Sequence, residues 1–271
     1  MIDLTRLDRD EIAGIDEAGR GFLASQHRIA AAADGIIGLV LGGTTPGTIA
    51  EGPHYPLGEV YDPLSHAQYF YHRHATRGTG RNPAPPHEHG HFHTFMRPRG
   101  MPPGTRPLVM PELAIADAPS RPLDSMSPPA PQPNQGDDND KFSHLVAVAL
   151  DASGAPTRLF TTNRWVTGET WYVAEDVIAM LDGFTAGLSR PEAPLGQWLA
   201  ALLRLYHPDI ADLLRARDAA VMGWRRRRRG KIHVFEDQRL EIPSSIEIDP
   251  DDRLRHLGAM RGWANSVPNP T

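Results

Sequence analysis

The sequence contains no cysteine. This absence excludes disulfide bonds, zinc–thiolate sites, iron–sulfur clusters and cysteine nucleophiles. Any metal ion would therefore have to be held by histidine, aspartate, glutamate, tyrosine, amide or backbone groups.

The chain also lacks long apolar runs and an excess of basic residues. Its longest apolar stretch, GIIGLVLGG, is far too short to cross a bilayer. The N-terminus, MIDLTRLDRDEIAG, is charged and has no apolar signal-peptide core. The formal net charge is −5, so no general basic surface points to nucleic acid. We therefore expect a cytoplasmic protein that neither enters a membrane nor binds nucleic acid.

The pattern of apolar residues predicts a single α+β domain over residues 1–271. Residues 8–34 have a helical pattern that begins with a capping box of Asp8 and Glu11. The last third of the chain also has helical periodicity. The prediction is a small antiparallel β-sheet with an N-terminal helix and a helical C-terminal third. The predicted strands are AQYFYHRH at 67–74, HGHFHTFMR at 89–97, HLVAVALD at 144–151 and TRLFTTNRW at 157–165. The turn ASGAP joins the last two strands as a β-hairpin. The tail VFEDQRLEIPSSIEID is a further candidate for a short strand.

A proline-rich segment interrupts the sheet between residues 98 and 140. It carries eleven of the 26 prolines and ends in GDDND. Such a composition does not form a packed core, so we predict an extended or disordered insertion.

Histidines are concentrated in one part of the sequence: seven of the thirteen fall between positions 66 and 93. The stretch HEHGHFH at 87–93 matches the H-E-x-x-H pattern of zinc proteases, which requires a helix. The preceding NPAPP and the internal Gly90 disfavour a helix here. An alternating strand is the favoured interpretation, and it places His87, His89, His91 and His93 on one face.

A strand of this kind can supply only part of a metal site. Side chains two residues apart are separated by about 6.6 Å, so one ion can take two of these imidazoles. Further ligands would come from His72 or His74 on the preceding strand, or from His144. An all-histidine set suits iron, copper or zinc. The alternative is that the imidazoles only make hydrogen bonds in the core.

The loop FTTNRWVTGETWY at 160–172 is the second candidate functional region. Asn163 and Arg164 could hold an anionic or carbonyl substrate. Glu169 could act as a base or as a carboxylate ligand. The alternative is a structural turn anchored by its aromatic residues. The five arginines at 225–229 are interpreted as a solvated helix end. The alternative is that they contact nucleic acid or an acidic partner.

The segments AQYFYHRH, EHGHFHTF and LFTTNRWVTGETWY together resemble a bacterial domain family without a characterised activity. The resemblance covers most of residues 50–240 and implies that the histidine strand and the Asn-Arg-Trp loop form one site. It carries no catalytic role.

The leading hypothesis is a mononuclear non-haem metalloenzyme that acts on a small-molecule substrate. The main alternative is a protein that carries, stores or senses a metal without catalysis. Haem ligation and an H-E-x-x-H hydrolase are further alternatives, and the sequence does not specify the oligomeric state.

Overall fold

The computed structural model describes residues 2–32, 35–41, 54–73, 87–108, 141–189, 193–228 and 233–264. No helix among these residues is both long and apolar enough to cross a bilayer. The helices are α1 (Arg9–Ala32), α2 (Gly35–Leu41), α3 (Arg164–Thr167), α4 (Ala174–Gly187), α5 (Pro194–Leu205), α6 (His207–Arg227) and α7 (Pro250–Ala264).

Six strands form one antiparallel sheet in which every strand pairs with its neighbours in the sequence. This connectivity needs no crossover and is favoured for consecutive strands. The predicted α+β class is confirmed, and one strand, the first, was not predicted. The strands are β1 (Tyr55–Tyr61), β2 (Ala67–His72), β3 (Gly90–Met96), β4 (Ser143–Leu150), β5 (Pro156–Thr161) and β6 (Ser244–Glu247).

The N-terminal helix begins with the predicted capping box. Asp8 Oδ1 accepts a hydrogen bond from the amide of Glu11 at 2.9 Å, and Glu11 Oε2 accepts one from the amide of Asp8 at 2.8 Å. Two amides that the helix itself leaves unpaired are thereby satisfied. The apolar stripe of α1 packs against α5, where Phe22 lies 5.8 Å from Trp198 between ring centroids.

The two faces of the sheet differ in chemistry. One face packs against the helices and buries apolar side chains such as Tyr69, Phe92 and Val148 in the main core. Because strand side chains alternate, the intervening residues lie on the opposite face. That face carries a small cluster around Ala147 and Phe160 together with buried histidines. The polar face therefore contains the candidate site.

The second strand of the hairpin ends earlier than the predicted 157–165. β5 stops at Thr161 because Asn163 begins helix α3 as its N-cap, with its side chain accepting a hydrogen bond from the amide of Arg164. Side-chain capping of this kind competes with continuation of a strand. The helices α2 and α7 and the strand β1 are further elements that the sequence pattern did not predict.

The proline-rich segment is described only in part. Residues 98–108 form a 3₁₀ turn at Pro98–Gly100 followed by a loop, and the amide of Leu108 donates 2.8 Å to the carbonyl of Trp171. Residues 109–140 lie outside the described residues. The insertion and the single-domain organisation remain predictions.

Candidate metal centre

Three imidazoles converge on the polar face of the sheet. The Nε2 atom of His91 lies 2.7 Å from Nε2 of His72 and 3.1 Å from Nε2 of His93. One ring nitrogen from each of the three lies within 4.8 Å of the others, and all three residues are buried. The group could hold a metal ion.

Strand pairing explains why these three residues meet. His91 and His93 are two positions apart on β3 and therefore lie on the same face. His72 on β2 pairs directly with His91 in the antiparallel register. Directly opposed side chains in such a pair are close enough to touch. The register thus adds a third imidazole to the two that β3 supplies.

A buried ion pair fixes the orientation of His91. Its Nδ1 lies 2.7 Å from Glu88 Oε1, and Arg158 Nη2 donates to Glu88 Oε2 at 2.6 Å. Burial by itself would raise the pKa of Glu88, but the hydrogen bond from His91 and the Arg158 charge hold that pKa below its usual range. Glu88 is therefore a carboxylate that accepts the Nδ1 proton, and the lone pair of His91 Nε2 faces the other two histidines.

A β-bulge brings His144 to the same face. Phe95 pairs with His144 and His93 pairs with Ala147, so two steps along β3 match three along β4. Without the extra residue, His144 would face the helices. The hydroxyl of Thr94 stabilises the bulge, since it donates a 2.6 Å hydrogen bond to the carbonyl of Val146 and accepts a 3.2 Å hydrogen bond from the amide of Val146.

His144 lies behind the three converging imidazoles. Its Nε2 is 3.0 Å from His93 Nδ1, and its Nδ1 is 3.3 Å from the hydroxyl of Thr162. Burial, together with the Arg217 charge, lowers the pKa of His144 to about 3. The ring is therefore neutral near neutral pH. It can accept the Nδ1 proton of His93, and His93 Nε2 then carries the lone pair of that ring.

The other histidines of the HEHGHFH stretch do not join the group. His89 precedes β3, and its Nδ1 lies 2.7 Å from the hydroxyl of Tyr71, which packs in the helix-side core. Gly90 makes this contact possible, because a Cβ there would lie 2.6 Å from the Tyr71 hydroxyl. His87 is exposed in a turn and His74 lies outside the described residues. No helix includes His87 and His91, so the zinc-protease arrangement does not form.

The predicted loop residues make structural contacts, and one of them reaches the strand that carries His144. Asn163 caps α3 and donates 2.9 Å from Nδ2 to the carbonyl of Val234. Arg164 donates 3.0 Å from Nε to the carbonyl of Glu169 and forms an ion pair with Glu236. The Glu169 side chain accepts a 2.6 Å hydrogen bond from the amide of His144. The loop is thereby tied to the strand that carries His144.

Glu169 itself is in an unusual electrostatic environment. Burial raises the pKa of Glu169 to about 8, against the lowering effect of Arg217 and of the His144 amide. Its Oε1 has no hydrogen-bond partner within the described part of the chain. The side chain is therefore a neutral carboxylic acid at neutral pH.

This environment predicts a pH-dependent effect of Glu169→Gln on stability. The folded-state pKa lies above the ordinary value of 4.5, so the stabilising contribution of the acid is complete below pH 4.5 and is lost as the pH rises through about 8. An amide stays neutral throughout. The free energy of unfolding of the variant, relative to that of the wild type, should increase by roughly 2 kcal/mol or more between about pH 5 and 9.

Thermal or denaturant unfolding across this pH range measures the difference. Glu17→Gln, at an exposed position of α1, is the control and should track the wild type. A constant difference between Glu169→Gln and the wild type at every pH would contradict a neutral buried acid.

Several residues near the group were not predicted from the sequence. The sequence pattern indicates Glu88 only as the glutamate of H-E-x-x-H, and it predicts no role for Arg158 or Thr162. His54 and Glu59 belong to the unpredicted strand β1 and its approach. Their positions depend on strand register, for which the sequence offers no local signal.

The run of arginines lies at the end of α6, which is described as far as Arg228. The guanidinium groups of Arg227 and Arg228 lie 5.3 and 4.8 Å from the ring centroid of Trp224. Trp224 Nε1 donates 2.8 Å to Asp237. Positive charge at a helix C-terminus is favoured by the helix dipole. The absence of nucleic-acid binding remains a prediction.

The fold and the histidine group define the class: an α+β protein with a six-stranded antiparallel sheet and a buried three-histidine group on one face. Sequence comparison matches residues 16–248 to the family described as "Domain of unknown function (DUF6969)", and the chain belongs to this family. This confirms the resemblance to an uncharacterised domain family, and the family assigns no activity. No curated protein and no solved structure matches the chain.

Proposed function

We propose that His72, His91 and His93 bind one divalent transition-metal ion through their Nε2 atoms. The observation that supports this is the convergence of the three nitrogens, at 2.7 and 3.1 Å from His91. Two nitrogens bound at about 2.0–2.1 Å, with angles of about 90–110°, lie roughly 2.8–3.4 Å apart. The two distances from His91 Nε2 are close to this range.

The alternative is that the imidazoles only hydrogen-bond to one another. In that arrangement the single lone pair of His91 Nε2 would accept two N–H groups, one from His72 and one from His93. A metal ion would instead use all three lone pairs. The partners behind the group favour the metal, because Glu88 holds the proton of His91 on Nδ1 and His144 can do the same for His93. Metal-binding histidines are commonly held in this way.

The number of ligands favours an enzyme over a closed storage site. Three protein ligands leave a position for water or substrate, whereas structural zinc sites have four. We propose zinc, iron or copper as the ion, because neutral imidazoles suit all three. When bound, such an ion polarises a substrate or lowers the pKa of a water molecule. A carrier or sensor remains the second candidate, since the three histidines are buried.

The loop has a positioning role in this proposal. Glu169 holds the amide of His144, and His144 contacts His93. Asn163 and Arg164 anchor the loop to residues 234–236. We propose that these residues keep the strand end in place, and that a small-molecule substrate approaches the open side of the metal.

Elemental analysis of protein purified without an affinity tag tests metal binding directly. We expect about one transition-metal ion per chain, with tight rebinding after removal by a chelator. Protein that is folded but takes up no iron, copper or zinc from a stoichiometric mixture would refute the proposal.

Glu88→Gln should weaken metal binding without removing a ligand. The amide is a weaker acceptor for His91 Nδ1 and cannot balance the charge of Arg158. Loss of such an outer partner costs about 10–100-fold in metal affinity. Competition with a chromophoric chelator measures the change. Glu175→Gln removes an exposed glutamate that pairs with Arg215 and should leave the affinity unchanged.

A further inference from the structure

A fourth histidine lies beside the three-histidine group without being part of it. The ring of His54 stacks on Phe70, with 3.7 Å between centroids and an interplanar angle of 10°. It lies edge-on to His72 at 5.9 Å. The corresponding distances among His72, His91 and His93 are 4.5 to 5.0 Å. His54 is therefore too far out to be a ligand in this arrangement.

A directional chain of hydrogen bonds determines which nitrogen of His54 carries the proton. Arg97 can only donate, and its Nε donates 2.5 Å to Gln68 Oε1. The amide nitrogen of Gln68 then donates to Glu59 Oε2. Glu59 Oε1 lies 2.6 Å from His54 Nδ1. A carboxylate only accepts, so the neutral imidazole of His54 carries its proton on Nδ1 and has a lone pair on Nε2.

Among the described residues, nothing uses this lone pair. His54 Nε2 is buried and has no hydrogen-bond partner in the described ranges of the chain. The Glu59 side chain that orients the ring is only 4 % exposed. Buried polar atoms are normally paired, so an exception of this kind indicates a missing partner.

The backbone at Glu59 gives independent support. Its φ is 61°, a left-handed conformation that is unfavourable for a residue with a side chain. The residue lies within the irregular register between Tyr55 and Val60 in the pairing of β1 with β2. Strained backbone of this type is found where a side chain must be aimed at a site.

We infer that His54 Nε2 accepts a hydrogen bond from the molecule bound at the open side of the metal. The inference rests on the proposed metal site. An acceptor at this position selects ligands that carry a hydrogen, such as water, an alcohol or an amine. It disfavours anions that can only accept, because two lone pairs would face each other. His54 is thus a specificity-determining residue that Glu59, Gln68 and Arg97 hold in one tautomer.

Azide binding to the cobalt(II)-loaded protein tests this role, because azide is an acceptor-only anion and cobalt gives a visible spectrum. His54→Phe retains the stacked ring and removes the lone pair. We expect azide to bind about tenfold more tightly to this variant, the size of effect of one hydrogen-bond contact. His256→Phe, at an exposed position on α7, should match the wild type.

Glu59→Gln tests the same idea through the tautomer. Gln68 donates towards position 59, so the new amide must turn its oxygen to Gln68 and its NH₂ to His54 Nδ1. The proton then moves to His54 Nε2, which becomes a donor. Azide affinity should rise by about tenfold here as well, with cobalt stoichiometry unchanged. This variant carries the test if His54→Phe does not fold.

The outcomes separate the two proposals. A folded wild-type protein that binds no cobalt would refute the metal site. Cobalt binding with the same azide affinity in wild type, His54→Phe and Glu59→Gln, including no binding in any of them, would overturn the role of His54. Loss of cobalt from folded His54→Phe would also overturn it, because His54 would then be a ligand.

Discussion

The His91→Ala/His93→Ala double variant should lose its metal, whereas His89→Ala should keep it. All three residues belong to the same seven-residue stretch, and sequence reasoning placed them on one face. In the structure, His91 and His93 point their Nε2 atoms at each other and at His72, while His89 contacts Tyr71. The comparison therefore tests the tertiary arrangement as well as the presence of histidine.

The expected effect is large because two of three ligand atoms are removed. It should exceed the roughly 10–100-fold cost of losing a residue that only orients a ligand. Metal content by elemental analysis, combined with chelator competition, measures the loss. Circular dichroism and thermal unfolding must show that the double variant is folded.

His89→Ala is the matched control, since it removes an imidazole two residues from His91. Equal metal content in the double variant and the wild type would refute the strand site. Loss of metal from His89→Ala to the same extent would show that His89 is a ligand, contrary to its contact with Tyr71.

Asp209→Ala should cause the largest loss of stability among the ion-pair variants. Asp209 Oδ2 accepts a 2.6 Å hydrogen bond from Arg253 Nη2, and Asp209 Oδ1 accepts a 2.5 Å hydrogen bond from the amide of Ile2. The two side chains of the pair are 0 % and 3 % exposed. Removal of the carboxylate leaves the guanidinium buried without its counter-charge, which typically costs about 3–5 kcal/mol.

The hydrogen bonds of Asp209 connect three segments that are far apart in the chain. Asp209 lies in the first turn of α6, Arg253 lies on α7, and Ile2 precedes α1. Urea unfolding measures the free-energy change. Arg255→Ala is the control on the same helix, because its partner Asp252 is partly exposed and such pairs contribute less than about 1 kcal/mol. Equal effects of the two substitutions would contradict the importance of burial.

Local features of the fold could be predicted from the sequence because they depend on residues close together in the chain. The capping box of Asp8 and Glu11 spans four positions, and both reciprocal hydrogen bonds form. Alternation along HGHFHTFM identified a strand and placed His91 and His93 on one face. The turn of the hairpin separated β4 from β5 at the predicted place.

Elements whose residues follow no regular pattern could not be predicted from local sequence. β1 contains the irregular register next to Glu59, so its residues do not alternate cleanly. The predicted strand 157–165 is longer than β5, because the capping role of Asn163 overrides the strand preference of its neighbours. Local rules fail where a side chain satisfies the backbone in place of regular pairing.

The sequence by itself determined that any metal site would lack cysteine thiolate. It also predicted histidine ligands, two of them on one strand face. Only the tertiary structure decided which further histidines meet them. Register places His72 opposite His91, and the bulge that Thr94 stabilises turns His144 to the same face. His89 instead contacts the hydroxyl of Tyr71. These outcomes depend on pairing between distant segments, and a shift of one residue in any pairing would move a side chain to the other face of the sheet.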